Sequence, residues 1–256
     1  MGERLNRFSL NDRVAVVTGA SDGIGRALAL GLAEAGAHVI VCSRREEKLK
    51  EVKAEIEKTG RRSEIFVMDI QKLQDIEGLK DLILKRFGKV DILVNNAGYV
   101  STSPAWDVSE QEWNRMIDTG FKGLFFCCQI VGSIMRQHGY GKIINLSSTF
   151  SRSIVPNRSV YAAIKAGISH LTEALAVEWA PVGIRVNALA PTAVLTPSRA
   201  DILKGEFLQK ILSRIPLGRL AMPDDLVDAA IFLSSPASDF VTGHTLFVDG
   251  GWIAAS

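Results

Sequence analysis

A tyrosine and a lysine stand four residues apart in Tyr161-Ala162-Ala163-Ile164-Lys165. The segment around them, Ser159 to Trp179, reads as a long helix, which places both side chains on one face. A phenol ionises at about pH 10, so an isolated tyrosine is a poor base at neutral pH. A cation held beside it favours the phenolate and lowers that value. Such a pair can pass a proton to or from an alcohol. Alone, the same spacing also fits a surface contact between successive helical turns. Its meaning therefore depends on what the chain places around it.

A second feature lies near the start. Val14-Ala15-Val16-Val17 reads as a strand running into Thr18-Gly19-Ala20-Ser21-Asp22-Gly23-Ile24-Gly25. Gly19, Gly23 and Gly25 permit a tight turn and close approach of the backbone to a pyrophosphate. The helix that follows points its free N–H groups at the anion. Ser21, Asp22 and Ile24 belong to the same candidate cofactor turn. The spacing is GxxxGxG rather than GxGxxG, and an isolated match could be only a packed strand–helix turn. Its place at the first βα junction of an alternating chain favours the nucleotide.

The end of the second strand reads Cys42-Ser43-Arg44-Arg45. Folds that bind NAD usually carry an acid here, which accepts hydrogen bonds from the ribose 2′-hydroxyl. No acid is available, and a guanidinium suits a 2′-phosphate. Arginine at a helix N-terminus opposes the helix dipole, which favours a ligand role for Arg44 and Arg45 over a solvated helix start. With Ser43 beside them, these residues point to NADP rather than NAD.

The elements that must position these groups alternate along the chain. Strands are expected at Val14–Val17, His38–Val41, Glu64–Val67, Val90–Val94, Lys142–Leu146, Ile184–Ala188 and Thr245–Val248. Helices are expected at Gly23–Ala35, Glu46–Lys58, Leu73–Phe87, Glu110–Gln137 with an interruption near Gly120, Ser159–Trp179 and Pro223–Ser234. This alternation predicts βαβ units, a mostly parallel sheet of about seven strands and right-handed crossovers. The expectation is one doubly wound, Rossmann-type α/β domain over residues 1–256. The long irregular stretch Pro191–Met222, with a short helical piece near Asp201–Leu212, reads as a substrate lid at about 191–222.

Bulk properties narrow the class. The 256 residues are 47% hydrophobic and 23% charged, enough for a sizeable core, and the formal charge of +2 points to neither nucleic acid nor an anionic membrane. No apolar run is long enough to span a bilayer. The leading residues Met1 to Leu5 lack the apolar core of a signal peptide. Cys42, Cys127 and Cys128 are odd in number and two are adjacent, which argues against a disulfide framework and for a reducing, cytoplasmic setting. His38, His138, His170 and His244 are scattered without metal-ligand spacing, so no metal is expected.

Seven segments then share an order. They are Thr18–Gly25, Asp69-Ile70, Asn95-Asn96-Ala97-Gly98, Ile144–Ser148, Tyr161–Lys165, Val186–Pro191 and Asp249-Gly250-Gly251. In this order the chain resembles the short-chain dehydrogenase/reductase family over about residues 10–252. The resemblance implies that Asp69 meets the adenine edge with the Ile70 amide nearby. Asn96, Ala97 and Gly98 would line the cofactor, and Val194 and Thr196 would contact the nicotinamide carboxamide. Thr192 stands where the family usually has Gly, so the local backbone is expected to differ.

The family's spacing selects Ser148, 13 residues before Tyr161, as the catalytic serine. Its neighbour Ser147 would be a strand-end hydroxyl satisfied by backbone. Tyr161 would be the acid/base, and Lys165 would depress the phenol and bind the nicotinamide ribose. One departure stands out. Gly120, in Thr119-Gly120-Phe121-Lys122-Gly123, occupies the place of an asparagine associated with a proton path behind the lysine.

The run Ser234–Trp252 looks most like gluconate 5-dehydrogenase and sugar-acid dehydrogenase members. This implies an NADP-dependent exchange of a secondary alcohol and a ketone on a sugar acid or polyol. A 3-oxoacyl-[acyl-carrier-protein] reductase and a weakly catalytic NADP-binding subunit are the alternatives. The substrate pocket would use Tyr99–Ala105, Phe150–Val155 and Pro191–Leu217, with Arg152, Asn157, Arg158 and Arg199 as polar contacts. The family also implies a homotetramer, assembled through the helices around 110–137 and 159–179.

Overall fold

The central strands are mostly apolar, as burial on both faces favours. β1 (Val14–Thr18) is buried throughout, as are β4 (Ile92–Asn95) and β5 (Gly141–Leu146). A computed structural model of the chain describes residues 5–255. The reading of the leading residues lies partly outside these. With β2 (His38–Ser43), β3 (Ser63–Val67), β6 (Ile184–Pro191) and β7 (Thr245–Val248), the strands form one parallel sheet in the order β3-β2-β1-β4-β5-β6-β7. The order reverses between β1 and β4. In doubly wound sheets a crevice opens there, beyond the carboxyl ends of the strands.

Helices cover both faces: α1 (Gly23–Glu34), α2 (Glu46–Lys58), α3 (Leu73–Arg86), α4 (Glu110–Ile117), α5 (Gly123–His138), α6 (Ser159–Trp179), α7 (Gly205–Leu212) and α8 (Val227–Ser234). The two-residue period of the strands sorts their side chains between two cores. Val14 and Val16 join Ile143, Val186 and the α3, α5 and α6 side. Ala15 and Val17 join Ile144, Leu189 and the α1, α2 and α8 side.

Several bounds differ from expectation. β6 runs on to Pro191 because Ala188–Pro191 pairs with Thr245–Val248 of β7. β4 starts at Ile92 because the preceding Asp91 caps the sheet edge. Its carboxylate accepts from the Val14 N–H at 2.9 Å and from Arg13 Nη1 at 2.8 Å. The expected interruption near Gly120 is a π-helical turn, Asp118–Lys122, which separates α4 from α5. The segment from Pro223 begins as a 3₁₀ turn, Pro223–Leu226, before α8. In the 191–222 stretch a 3₁₀ turn at Pro197–Arg199 precedes α7, which starts at Gly205 rather than Asp201.

Candidate active site

A cavity of about 980 Å³ opens beyond the carboxyl ends of the strands. One end is built by the turn between β1 and α1. Gly19 has φ +66°, and a Cβ there would lie 2.8 Å from Asn96 Nδ2. A Cβ on Gly25 would lie 2.3 Å from the Gly19 carbonyl oxygen. Only glycine permits this packing. Thr18 Oγ1 accepts from the N–H groups of Asn96 and Ala97 at 3.0 and 3.1 Å. Asn96 Nδ2 donates back to the carbonyls of Thr18 and Gly19 at 3.0 and 3.1 Å. The side chain of Asn96 therefore holds the glycine turn in shape from the neighbouring strand end.

Asp22 caps α1, its Oδ1 accepting from the Gly23 N–H at 2.8 Å. Asp22, Gly23, Ile24 and Gly25 line the cavity with Asn96 and Gly98. A helix start whose first N–H groups lack intrahelical partners, behind a glycine cradle with no room for side chains, fits a dinucleotide pyrophosphate.

The two arginines after β2 part company. Arg45 lines the cavity, donates from Nε and Nη2 to Ser21 Oγ at 3.1 and 2.9 Å, and places Nη1 3.7 Å from Asp22 Oδ2. Arg44 lines a separate surface depression beside Gln71, Glu110 and Arg115. Ser43 Oγ accepts from the Arg45 N–H at 3.1 Å. Asp69 Oδ1 accepts from the Gln71 N–H at 3.1 Å, and the Asp69 N–H donates to Asp75 Oδ2 at 2.8 Å. Ile70 is nearly buried against α5, where a Cβ on Gly123 would come within 2.6 Å of its carbonyl oxygen. Gly19, Ser21, Ser43, Arg44, Asp69, Ile70 and Ala97 lie outside the wall of the large cavity.

Beyond the glycine turn the cavity is lined by Ser148, Tyr161, Lys165, Val194 and Thr196. Ser148 follows β5 and is buried, with Oγ accepting from the Phe150 N–H at 3.2 Å. Its hydroxyl also faces the Tyr161 phenol and acts to hold the phenol's pKa down. Phe150 packs edge-on against the Tyr161 ring at 5.9 Å between centroids. Ser147 Oγ donates to the Lys165 carbonyl at 3.0 Å and lies 2.9 Å from Ser169 Oγ, so its hydroxyl is spent on α6.

Lys165 is buried, with Nζ donating to the Leu146 carbonyl oxygen and lying 5.6 Å from the centroid of the Tyr161 ring. Burial pulls its ammonium down to about 8. Burial also pushes the Tyr161 phenol above its ordinary value, opposed by the Ser148 hydroxyl and by the charges of Arg199 and Arg158. This differs from the expected depression of the phenol by Lys165. The ammonium faces the ring and a backbone carbonyl, and desolvation of the phenol outweighs the nearby cations.

Gly120 lines the same cavity. A Cβ there would meet Ile164 Cγ2 at 3.4 Å, an ordinary contact, so the glycine is not enforced by crowding. π-Turns of this kind recur at functional sites.

Sequence reading placed Ser153 and Arg214 in the pocket segments but left out Trp252. Trp252 lines the cavity, its Nε1 donating to Ser153 Oγ at 2.9 Å, and the Arg214 guanidinium lies 4.2 Å over its ring. No spacing rule joins residues from the β5–α6 loop, the end of α7 and the C-terminal segment.

The comparisons with known proteins agree with this geometry. The family described as Enoyl-(Acyl carrier protein) reductase matches residues 19–253. The chain is 39% identical to the 2-dehydro-3-deoxy-D-gluconate 5-dehydrogenase of Escherichia coli (strain K12), over 98% of this chain and 99% of that protein. It is 38% identical to the NAD-dependent glycerol dehydrogenase of Listeria innocua serovar 6a, over 96% of this chain and 95% of that protein. A gluconate 5-dehydrogenase structure from Burkholderia cenocepacia J2315, in complex with NADP and tartrate, superimposes with a TM-score of 0.95 at 38% identity, covering 99% of this chain and 100% of that one. The chain belongs to the short-chain dehydrogenase/reductase family of oxidoreductases.

Proposed function

We propose that this protein is an NADP-dependent oxidoreductase that interconverts a secondary alcohol and a ketone on a sugar acid or polyol. The observation that carries the reading is the meeting of Ser148, Tyr161 and buried Lys165 in one cavity with the glycine turn. Full-length likeness to enzymes named for gluconate derivatives and glycerol supports the substrate class.

When bound, a nicotinamide dinucleotide supplies or accepts the hydride. The cradle of Gly19, Gly23 and Gly25, with the start of α1, would hold its pyrophosphate. Arg45 with Ser21 and Ser43 would meet a 2′-phosphate, with Arg44 reaching it from the neighbouring surface. Asp69 and Ile70 would serve the adenine, and Asn96, Ala97, Gly98, Val194 and Thr196 the remainder. Ser148 orients the substrate oxygen toward the Tyr161 hydroxyl. Tyr161 gives its proton to the oxygen during reduction and takes it during oxidation. Lys165, desolvated against the Tyr161 ring and held by the Leu146 carbonyl, would bind the ribose.

The chain is proposed to work as one domain with residues 191–222 as a lid, in the cytoplasm, and as a homotetramer through α4–α5 and α6. The three cysteines are unpaired and buried, in keeping with a reducing setting. No helix among the described residues is long and apolar enough to cross a membrane.

One assay series tests the function. Purified protein is followed at the NADPH absorbance with gluconate, 5-ketogluconate and an acetoacetyl thioester, and again with NADH. Oxidation of gluconate with NADP+ and reduction of 5-ketogluconate with NADPH are expected. Absence of turnover with any carbonyl, despite tight NADPH binding, rejects the reading.

The cofactor choice has its own test. Arg45→Ala is expected to weaken NADPH by about 10- to 100-fold, the range for a charge-assisted contact, and NADH far less. Arg44→Ala tests the surface arginine in the same titration. Equal losses for both dinucleotides in both variants would reject the phosphate site.

A further inference from the structure

Four cations of the cavity wall are used neither by proton transfer nor by the dinucleotide: Arg158, Arg199, Lys210 and Arg214. Arg214 is occupied by the Trp252 ring at 4.2 Å and by Ser153 Oγ at 3.3 Å. Lys210 is exposed at the rim. Arg158 donates from Nη1 to the Ser101 carbonyl at 3.0 Å, which holds its guanidinium beside the loop after β4.

Arg199 differs from the other three. Its backbone is fixed: its N–H donates to the Thr196 carbonyl at 2.9 Å, and its carbonyl accepts from the N–H groups of Ile202 and Leu203 at 3.0 Å each. The 3₁₀ turn Pro197–Arg199 thus carries it into the wall, half-buried. No described residue hydrogen-bonds or ion-pairs with its guanidinium.

Arg199 and Arg158 also feel one another, and both feel the Tyr161 phenol. Arg158, Arg199 and Tyr161 thus share one cavity wall. Nothing negative stands between them. Among the described lining residues the sole acid is Asp22, at the glycine turn, where it is engaged with Gly23 and Arg45. Apolar side chains, Ile154, Ile202, Phe207 and Ile211, share the wall, the first three exposed at its mouth. A half-buried pair of like charges is unfavourable until an anion joins it. A neutral polyol offers none.

We infer that Arg199, assisted by Arg158, binds a carboxylate of the substrate, so that the cavity selects a polyhydroxylated acid over a neutral polyol of the same length. This rests on the hydride-transfer reading above and sharpens it to the acid. An Arg fork matches a carboxylate in two parallel hydrogen bonds, which also fixes which carbon faces Tyr161.

The test uses NADP with D-gluconate and with sorbitol, on the unmodified protein, Arg199→Ala and Arg199→Lys. The unmodified protein is expected to favour gluconate in kcat/KM. Arg199→Ala should narrow that preference by about 10- to 100-fold, mainly through KM, and Arg199→Lys should restore part of it. Calorimetric titration of the NADP complex with tartrate, which needs no turnover, should show binding that Arg199→Ala weakens by a similar factor. Equal proportional losses for gluconate and sorbitol, or tartrate binding that is absent or indifferent to Arg199, would overturn the carboxylate site. Absence of turnover with both substrates would count against the reaction itself, while the tartrate titration still decides the subsite.

Discussion

Tyr161→Phe is expected to reduce turnover by at least about a thousandfold while leaving NADPH binding nearly unchanged. The substitution removes one oxygen and keeps the ring, so the edge-on contact with Phe150 at 5.9 Å survives. What disappears is the proton donor that the Ser148 hydroxyl faces. The direction of the phenol's shift adds a second expectation. Burial holds it above its ordinary value, so the ligand-free site carries a protonated donor at neutral pH, as reduction of a ketone requires. Oxidation of an alcohol needs the phenolate, so that direction should gain rate as pH rises. Stopped-flow rates in both directions with NADPH and NADP measure this. Retention of more than about a tenth of the activity in Tyr161→Phe would remove the phenol from the proton path.

The second large effect is on stability. In the folded protein the Lys165 ammonium is pulled from the usual 10.5 down to about 8 by burial. Between these values the unfolded chain holds more protons than the native one, so native stability rises with pH. Below about pH 8 the folded protein carries a desolvated charge at a cost of roughly 3 kcal/mol, relieved as pH climbs toward the unfolded value. Lys165→Met lacks this term. Compared with the variant, the ligand-free unmodified protein should therefore gain about 3 kcal/mol on going from about pH 7 to about pH 10.5. The variant also strands the Leu146 carbonyl, a cost of about 1–3 kcal/mol. That cost does not titrate, so the pH slope isolates the charge. Urea unfolding of both proteins across this range measures it. A difference that stays constant with pH would mean that the Lys165 ammonium is solvated in the native state and titrates there as it does in the unfolded chain.

Both expectations concern the same trade. An ammonium that destabilises the ligand-free fold stands beside the phenol proposed to transfer the proton. Preorganised active sites commonly carry such a cost.

Much of this site was legible in the residues. The turn Thr18–Gly25 announced itself because a βα junction with close backbone approach tolerates only glycine at Gly19 and Gly25. The choice of Ser148 over Ser147 came from the resemblance to the family, and the two hydroxyls have different surroundings in the structure. One hydroxyl faces Tyr161 and the other is held by α6. The strand ends were less legible. Pairing with β7 carries β6 on to Pro191, and Asp91 delays β4, and both depend on neighbours far away in sequence.

The pattern of apolar strands, glycine turn and helical periods determined a doubly wound parallel sheet and the chemistry gathered at its carboxyl edge. These follow from local physics: backbone sterics at glycine, two-residue alternation in strands, and 3.6-residue periodicity in helices. The tertiary structure alone decided which charges see one another. It set Arg45 rather than Arg44 on the cavity wall, turned Lys165 toward a ring and a carbonyl, and brought Arg199 from the 191–222 segment to Arg158 and Tyr161. Charge interactions and desolvation act through space, so they depend on the distances that folding creates between residues far apart in the chain.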